Sequence, residues 1–391
     1  MMAGLLLARA GVDVVVLEKH ADFLRDFRGD TVHPSTLELI HELGVLDEFL
    51  KRPHTEVHEL GGEIEGERIV IADFSHLPTI CKFIALMPQW DFLDFLADQA
   101  RRYPTFHLLM NAEVTGLARS GDRVTGVLAT TPDGPIDVNA TLTIGADGRH
   151  SIVREQAGLD VQSFGAPIDV LWMRLPRHES DRSETLGIIT AGHVFVMLNR
   201  GDYWQCAFVI PKGGFAALKD RGLEGFREDI ARGVPFLRNR VTELKTWGDI
   251  KLLTVMVDRL RRWHAPGLLC IGDAAHAMSP IGGVGINLAI QDAVAAANLL
   301  YRPLLDGRLT SDHLSSVQQR RLLPTRLTQA AQLFIQERIL GRVISGSGPV
   351  TLPLPARLIR DHPFLRRIPA RLVGVGVRPE HIRTPDVFGR N

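Results

Sequence analysis

The stretch Gly267-Leu-Leu-Cys-Ile-Gly-Asp273-Ala-Ala-His276-Ala-Met-Ser-Pro280-Ile-Gly-Gly283-Val-Gly285-Ile-Asn287-Leu-Ala-Ile-Gln-Asp292 leaves a chain few ways to fold. Leu268 to Ile271 is an unbroken apolar run, which predicts a short strand buried on both faces. It stops at Gly272-Asp273. A carboxylate at the carboxyl end of a buried strand sits where open α/β sheets bind ligands. Pro280 and glycines at 282, 283 and 285 follow, and without Cβ atoms their backbone N–H groups can approach a ligand closely. From Ile286 to about Leu300 the pattern is helical, and the amino end of that helix adds partial positive charge. An acceptor for hydroxyls therefore stands beside a nest of donors suited to an electron-rich ring edge. The plainer reading is a strand–loop–helix connection with a solvated aspartate.

A second segment has the same logic. Leu142 to Ala146 predicts a strand that ends at Asp147-Gly148 and turns into a helix near Ser151. At the amino end, Leu5 to Gly11 reads as the close of a buried helix with a glycine cap, and Val12 to Leu17 as a β-branched strand ending in Glu18. Helix, glycine, strand and acid form the second half of a Rossmann unit, in which the acid bonds ribose hydroxyls. A solvated strand-end acid is the alternative for Glu18. The first strand and its Gly-x-Gly-x-x-Gly turn are expected upstream of Met1, either because the start is misassigned or because the chain is a truncated relative.

Bulk properties exclude several classes. A length of 391 residues asks for two or three packed domains. With 45 basic and 45 acidic residues, nothing favours nucleic acid as a partner. The three cysteines, Cys81, Cys206 and Cys270, are far apart, without metal spacing, and fit a reducing cytoplasm. No uninterrupted apolar run reaches the ~18 residues of a membrane span. No metal ligands or nucleophile motifs stand out.

The ungapped pattern G-D-A-A-H-x-x-x-P-x-x-G-x-G-x-N, with D-G-x-x-S-x-x-R at Asp147 to Arg154, resembles the FAD-dependent aromatic hydroxylases of the para-hydroxybenzoate hydroxylase type. The resemblance implies an α/β fold with an α+β insert: a Rossmann-like FAD-binding domain plus an antiparallel-sheet substrate domain. On that basis residues 1–55, 88–164 and 263–310 are expected to build the FAD-binding domain. Residues 56–87 and 165–262 supply the substrate domain, and 311–391 a C-terminal helical segment whose long helix, Ser311 to Gln336, is expected to be interrupted at Pro324.

The implied FAD contacts are Glu18, Lys19, Arg28, Gln89, Val114, Asp147, Asp273, Pro280, Gly282, Gly283, Gly285, Ile286 and Asn287. Arg28 lies in an R-G-D-x-x-H-P-S-T segment, where Ser35 is a plausible cap for a helix through Ile40. Gln89 could equally be a helix-start residue, Val114 a core valine, and Arg154 either a cofactor contact or an ion-pair partner. His276 reads as structural. Trp172, Tyr203 and Trp204, with Pro280, are the expected pocket lining, Met173 and Phe208 being further choices; each is also an ordinary core residue.

The implied reaction is hydroxylation of a phenolic, polyketide-like or N-heteroaromatic small molecule through a flavin C4a-hydroperoxide. NADH or NADPH is the reductant and O2 the oxidant, and no catalytic side chain can be named. A reductase or dehydrogenase on the same scaffold, or a non-catalytic remnant, are the alternatives. A homodimer is compatible with the chain. The arginine-rich tail, with arginines at 357, 360, 366, 367, 371, 378 and 383, is basic and amphipathic. It is expected to pack on the FAD domain with its arginines outward, contact with a membrane or partner being the other reading.

Overall fold

A computed structural model describes residues 1–24, 31–181, 186–190, 192–346 and 354–389. Helix α1 (Met2–Arg9) leads into strand β1 (Val14–Leu17), then α2 (Pro34–Glu42), β2 (Glu59–Ile64) and β3 (Glu67–Asp73). After α3 (Gln89–Ala100) come β4 (Phe106–Leu109), β5 (Thr143–Gly145), α4 (Ile152–Gln156) and β6 (Ile168–Pro176). Strands β7 (Leu186–Thr190), β8 (His193–Asn199) and β9 (Tyr203–Pro211) precede α5 (Gly222–Gly233), β10 (Lys251–Leu253) and β11 (Leu268–Cys270). Helices α6 (Gly285–Leu305), α7 (Ser311–Ile335), α8 (Leu354–Asp361) and α9 (Arg367–Gly374) complete the labelled elements.

The nucleotide-fold half forms as its residues dictate. Gly11 takes φ +87°. Its N–H donates to the Ala8 carbonyl and that of Val12 to Leu7, the paired bonds that close a helix through a left-handed glycine. Gly44 ends α2 in the same way, donating to His41 while Val45 donates to Ile40. Strand β1 pairs in parallel with β4. Its burial is uneven, with Val15 44% exposed. Strands β5 and β11 pair in parallel, with Gly145 opposite Cys270, and β11 is wholly buried as its apolar run predicts. Around them lies the largest core, drawn from α1, α2, α3, β11 and α6.

The second layer is a seven-stranded sheet in the order β10-β6-β9-β8-β7-β2-β3, antiparallel except for the β7–β2 pair. Strands β2 and β3 are joined by Glu65 and Gly66, both at positive φ, as a two-residue hairpin requires. Strand alternation divides the sheet's side chains. Leu171, Met173, Cys206 and Phe208 pack with Phe226 and Ile230 of α5. Val170, Trp172, Ala207 and Val209 face the other way, toward Ile281, Leu340 and Val343. The second face is the one that meets the glycine loop.

Three expectations change. The cap of α2 is His33, with Pro34 in the first turn, where its missing N–H costs nothing; Ser35 lies inside the helix. Helix α7 does not break at Pro324. That proline is buried, and neighbouring Arg321 and Gln329 are fixed by hydrogen bonds to Asp292 and to the Asp258 carbonyl, so tertiary contacts hold the helix through it. The tail divides: helices α8 and α9 pack on β3 and on Phe74–His76, beside the large sheet, with α9 reaching only the start of α2. Beyond them, Arg378 to Phe388 runs as a strap. Asn298 of α6 bonds both His381 O and Arg383 N at 2.8 Å, and Val387 N donates to Arg9 O of α1 at 3.1 Å. Among the described residues one helix, Ile281–Leu305, is long and apolar enough by composition to cross a membrane, but 61% of that window is buried inside the protein.

Candidate functional site

Parallel pairing of β5 and β11 brings their carboxyl ends side by side, and with them Asp147 and Asp273. Arg149 reaches across, its guanidinium 3.7 Å from the Asp273 carboxylate and bonded to the Thr254 carbonyl at 3.2 Å. Asp147 is exposed and accepts the Val153 N–H at 3.2 Å, so it caps the first turn of α4 together with Ser151. Arg154 resolves into the ion-pair reading. Both of its terminal nitrogens lie 3.3 Å from the buried Asp258 carboxylate. Asp273 keeps about a third of its side-chain surface open (35%).

The glycine loop is shaped from two sides. Gly282 and Gly283 adopt φ +76° and +62°, and a Cβ on Gly283 would stand 2.4 Å from Thr31 Oγ1. Thr31 Oγ1 in turn donates to the Gly283 carbonyl at 2.8 Å. Asn287 is 6% exposed and acts as a clasp: its Oδ1 accepts the His33 N–H at 3.0 Å and the Thr36 hydroxyl at 2.7 Å. Its amide nitrogen donates to Gly283 O at 3.4 Å. From the opposite side, Gln329, Gln332 and Gln336 of α7 and the π-turn after it bind the preceding segment. Gln329 donates to Ala277 O, Gln332 to Ser279 O and Ile281 O, and Gln336 to Ser279 Oγ. These glutamines and Thr31 were not singled out from sequence. The signals were there, in the Gln-rich face of α7 and the segment from Gly29 to Thr36.

Helix α6 starts at Gly285 with no side-chain cap. Helix geometry gives the amides of Gly285, Ile286 and Asn287 no partner within the helix, so they point out of its positive end. Gly282, Gly285 and Ile286 are exposed or half-buried there. His276 is not available for acid–base chemistry. It is 1% exposed, and its Nε2 lies 2.5 Å from Asp292 Oδ2, which also accepts the Gly272 N–H at 3.1 Å. Arg321 Nε holds the other oxygen at 3.0 Å. Burial pushes the Asp292 carboxyl up, but His276 and Arg321 outweigh it and hold it below the usual carboxylate range.

The other sequence-predicted residues divide. Glu18 ends β1, bonded through its backbone to Leu109 and Ala112, and its Oε1 accepts the His20 N–H at 3.0 Å. Lys19 beside it is exposed. Val114 is half-buried against the main core. Gln89 is half-buried as the first residue of α3. Arg28 lies outside the described residues. Trp172 and Tyr203 share the sheet face of the glycine loop, but Trp204 does not. It is 1% exposed on the opposite face, bonded to Asp181 at 3.0 Å, because neighbours along a strand point to opposite sides. Met173 and Phe208 are on that outer face too.

The arrangement can hold a ligand with hydroxyls at Asp273 and an electron-rich edge at the α6 amides. The sequence profile of the FAD binding domain family matches residues 1–331. The chain belongs to this family. Among curated members it is 34% identical to 6-methylpretetramide 4-monooxygenase of Streptomyces rimosus, over 93% of the chain and 88% of that protein. It is 29% identical to the 12-dehydrotetracycline 5-monooxygenase/anhydrotetracycline 6-monooxygenase of Streptomyces rimosus subsp. rimosus, over 74% of the chain but 59% of that protein. Two further relatives are likewise spanned for only 56% and 60% of their length. The FAD-binding fold is also that of PqsL, a probable FAD-dependent monooxygenase from Pseudomonas aeruginosa, with a TM-score of 0.71 at 23% identity, covering 88% of the chain and 93% of PqsL. The flavin-dependent brominase Bmp2 shares it with a TM-score of 0.78 at 16% identity, over 97% and 91%.

Proposed function

We propose that this protein is an FAD-dependent monooxygenase that uses NADPH or NADH and O2 to hydroxylate an aromatic, polyketide-like small molecule in the cytoplasm. The observation that carries the reading is the uncapped amino end of α6, opened by Gly282, Gly283 and Gly285 and facing the Trp172 side of the large sheet. The residues fit FAD: a carboxylate at Asp273 with 35% of its side-chain surface exposed, a cradle with no room for a side chain at Gly283, and first-turn amides that have no partner inside the helix. When bound, the flavin supplies hydride acceptance and oxygen activation.

The chain's own residues bind, orient and exclude water. Asp273 accepts hydroxyls of the ribityl chain, with Arg149 steadying it, and Glu18 with Lys19 serves the adenosine end. The amides of Gly285 and Ile286 donate to the pyrimidine edge, where they favour negative charge on the reduced ring. Pro280 packs against the ring. Asn287 shapes the loop through its clasp and contributes its backbone. Asp147, Gln89, Val114 and Arg28 are assigned to the rest of the cofactor. Trp172 and Tyr203 line the substrate side; Trp204 does not. No proton transfer is assigned to a side chain, since His276 is committed to Asp292.

The test is the visible absorption spectrum of the purified protein before and after incubation with FAD. A bound oxidised-flavin band is expected, followed by substrate-stimulated O2 consumption with label from dioxygen in the product. A protein that takes up no FAD sinks the reading. NAD(P)H oxidation without an oxygenated product moves it to a reductase.

A further inference from the structure

Five large apolar side chains stand exposed along α8 and α9. Leu354 and Leu358 stand out from α8 at 70% and 44% exposure, and Phe364, Ile368 and Leu372 along and just before α9 at 65%, 59% and 55%. Their four-residue spacing puts them in one stripe per helix. The element cannot roll over to hide them. Ala370 is fully buried beneath α9, and a Cβ on Gly374 would lie 2.7 Å from Leu77 Cδ1 and 3.3 Å from Phe74, so the inner face is pressed against the chain. His33 Nδ1–H also donates to Val373 O at 2.8 Å, which ties α9 to the start of α2.

The same face is cationic in a chain whose formal charge is balanced. Residues 354–374 hold five arginines against a single aspartate, and that aspartate, Asp361, is bonded to Arg360 at 2.8 Å. Arg360 and Arg366 are half-buried, whereas Arg357, Arg367 and Arg371 are exposed, each adjacent in sequence to an apolar residue of the stripe. Large apolar side chains standing clear of the surface with arginines alongside are the chemistry of a helix that lies in a bilayer interface.

We propose that α8 and α9 dock this protein onto an anionic lipid surface, with Leu354, Leu358, Phe364, Ile368 and Leu372 entering the acyl boundary and Arg357, Arg367 and Arg371 bonding headgroup phosphates. The charge of the face selects an anionic bilayer over a neutral one. Docking is independent of whether the glycine loop holds FAD.

The experiment is co-sedimentation of the full chain with phosphatidylcholine vesicles, with and without about one third phosphatidylglycerol. Binding to the anionic vesicles should be at least about tenfold tighter, and should weaken when salt rises from ~0.1 M to ~0.5 M. Phe364→Ser with Ile368→Ser should cut it by about tenfold or more while leaving far-UV circular dichroism and Tm unchanged, since both side chains are outside the core. Arg367→Glu with Arg371→Glu should remove the preference for anionic lipid. No sedimentation with either vesicle, equal binding to both, or a serine variant that binds like the parent overturns the proposal. A dimer in sedimentation equilibrium that dissociates on the same serine substitutions would assign the face to a second copy and overturn it too.

Discussion

Asn287 Oδ1 and the Thr36 hydroxyl, 251 positions apart, meet at 2.7 Å in the interior and lock the glycine loop to the start of α2. The same oxygen takes the His33 N–H, so one amide side chain sets the distance between two segments of the proposed flavin cleft. Asn287→Ala strands a buried hydroxyl and a buried N–H. The expected loss is about 1–3 kcal/mol of stability, and, if the clasp sets the cradle, about tenfold or more in FAD affinity. Fluorescence titration with FAD, alongside urea unfolding, separates the two. Unchanged affinity in a destabilised variant would confine Asn287 to folding.

Gly283→Ala is expected to be worse than a surface glycine change. It adds a left-handed backbone penalty to a 2.4 Å clash with Thr31 Oγ1, together about 2–4 kcal/mol. Thr31→Ala in the same chain should return part of that loss, because the hydroxyl is what the new methyl meets first. Thermal unfolding of the two single variants and the double variant measures the coupling. Strict additivity would show that the clash is relieved elsewhere.

Asp292→Ala leaves Arg321 and His276 buried without their shared carboxylate and should cost about 3–5 kcal/mol. The parent carboxyl titrates below its unfolded value. Its contribution is therefore complete above about pH 4 and fades as pH falls through the folded value. Acid unfolding of the parent against the variant reads this directly: the gap between them should be constant near neutrality and close only in strong acid.

His33 acts in the same direction but in a window nearer neutrality. Burial drives its pKa down from 6.5 to about 4, with the Val373 carbonyl only partly opposing the shift. Between those values the unfolded chain binds the proton and the folded one does not, so acid favours unfolding. Stability should fall as pH drops from about 6.5 toward 4, by about 3 kcal/mol from this one ring. Urea midpoints for the parent and His33→Asn at pH values across that range should converge on acidification, since the variant lacks the titrating group. Parallel curves would place the proton elsewhere.

Cys81, Cys206 and Cys270 are all buried and free. Burial raises all three thiol pKa values, that of Cys270 to about 12. A disulfide reagent at neutral pH should label none of them in the folded protein and all three in denaturant. Rapid labelling of the native chain at Cys270 would mean that β11 opens, and would count against a rigid strand under Asp273.

The parts of the fold that the sequence made legible are those where a local pattern has one physical outcome. The apolar run at Leu268 and the glycine-capped helix end at Gly11 needed no knowledge of the rest of the chain. The placement of Asp147 and Asp273 at strand ends was legible for the same reason. The supports of the loop were not. Thr31, Gln332 and Gln336 do their work through partners 50 or more positions away, and a glutamine on a helix reads the same whether it faces water or a buried carbonyl. Trp172 and Trp204 looked equivalent as large aromatics. Only pairing register decides faces, and it put the two on opposite sides of the sheet.

The strap from Arg378 to Phe388 has a consequence for how the molecule is made. Arg9 Nη1 bonds Thr384 O at 2.5 Å, a contact spanning 375 positions, and the Asn298 side chain bonds His381 and Arg383. A polypeptide emerging from a ribosome cannot tie α1 to the strap until that entire length has followed it. Contacts with α3 and α6 pack α1 before the strap is made, yet this last tie waits for the far end of the chain, and contacts of such range close slowly. Strap closure is thus a late step in folding, set by the topology.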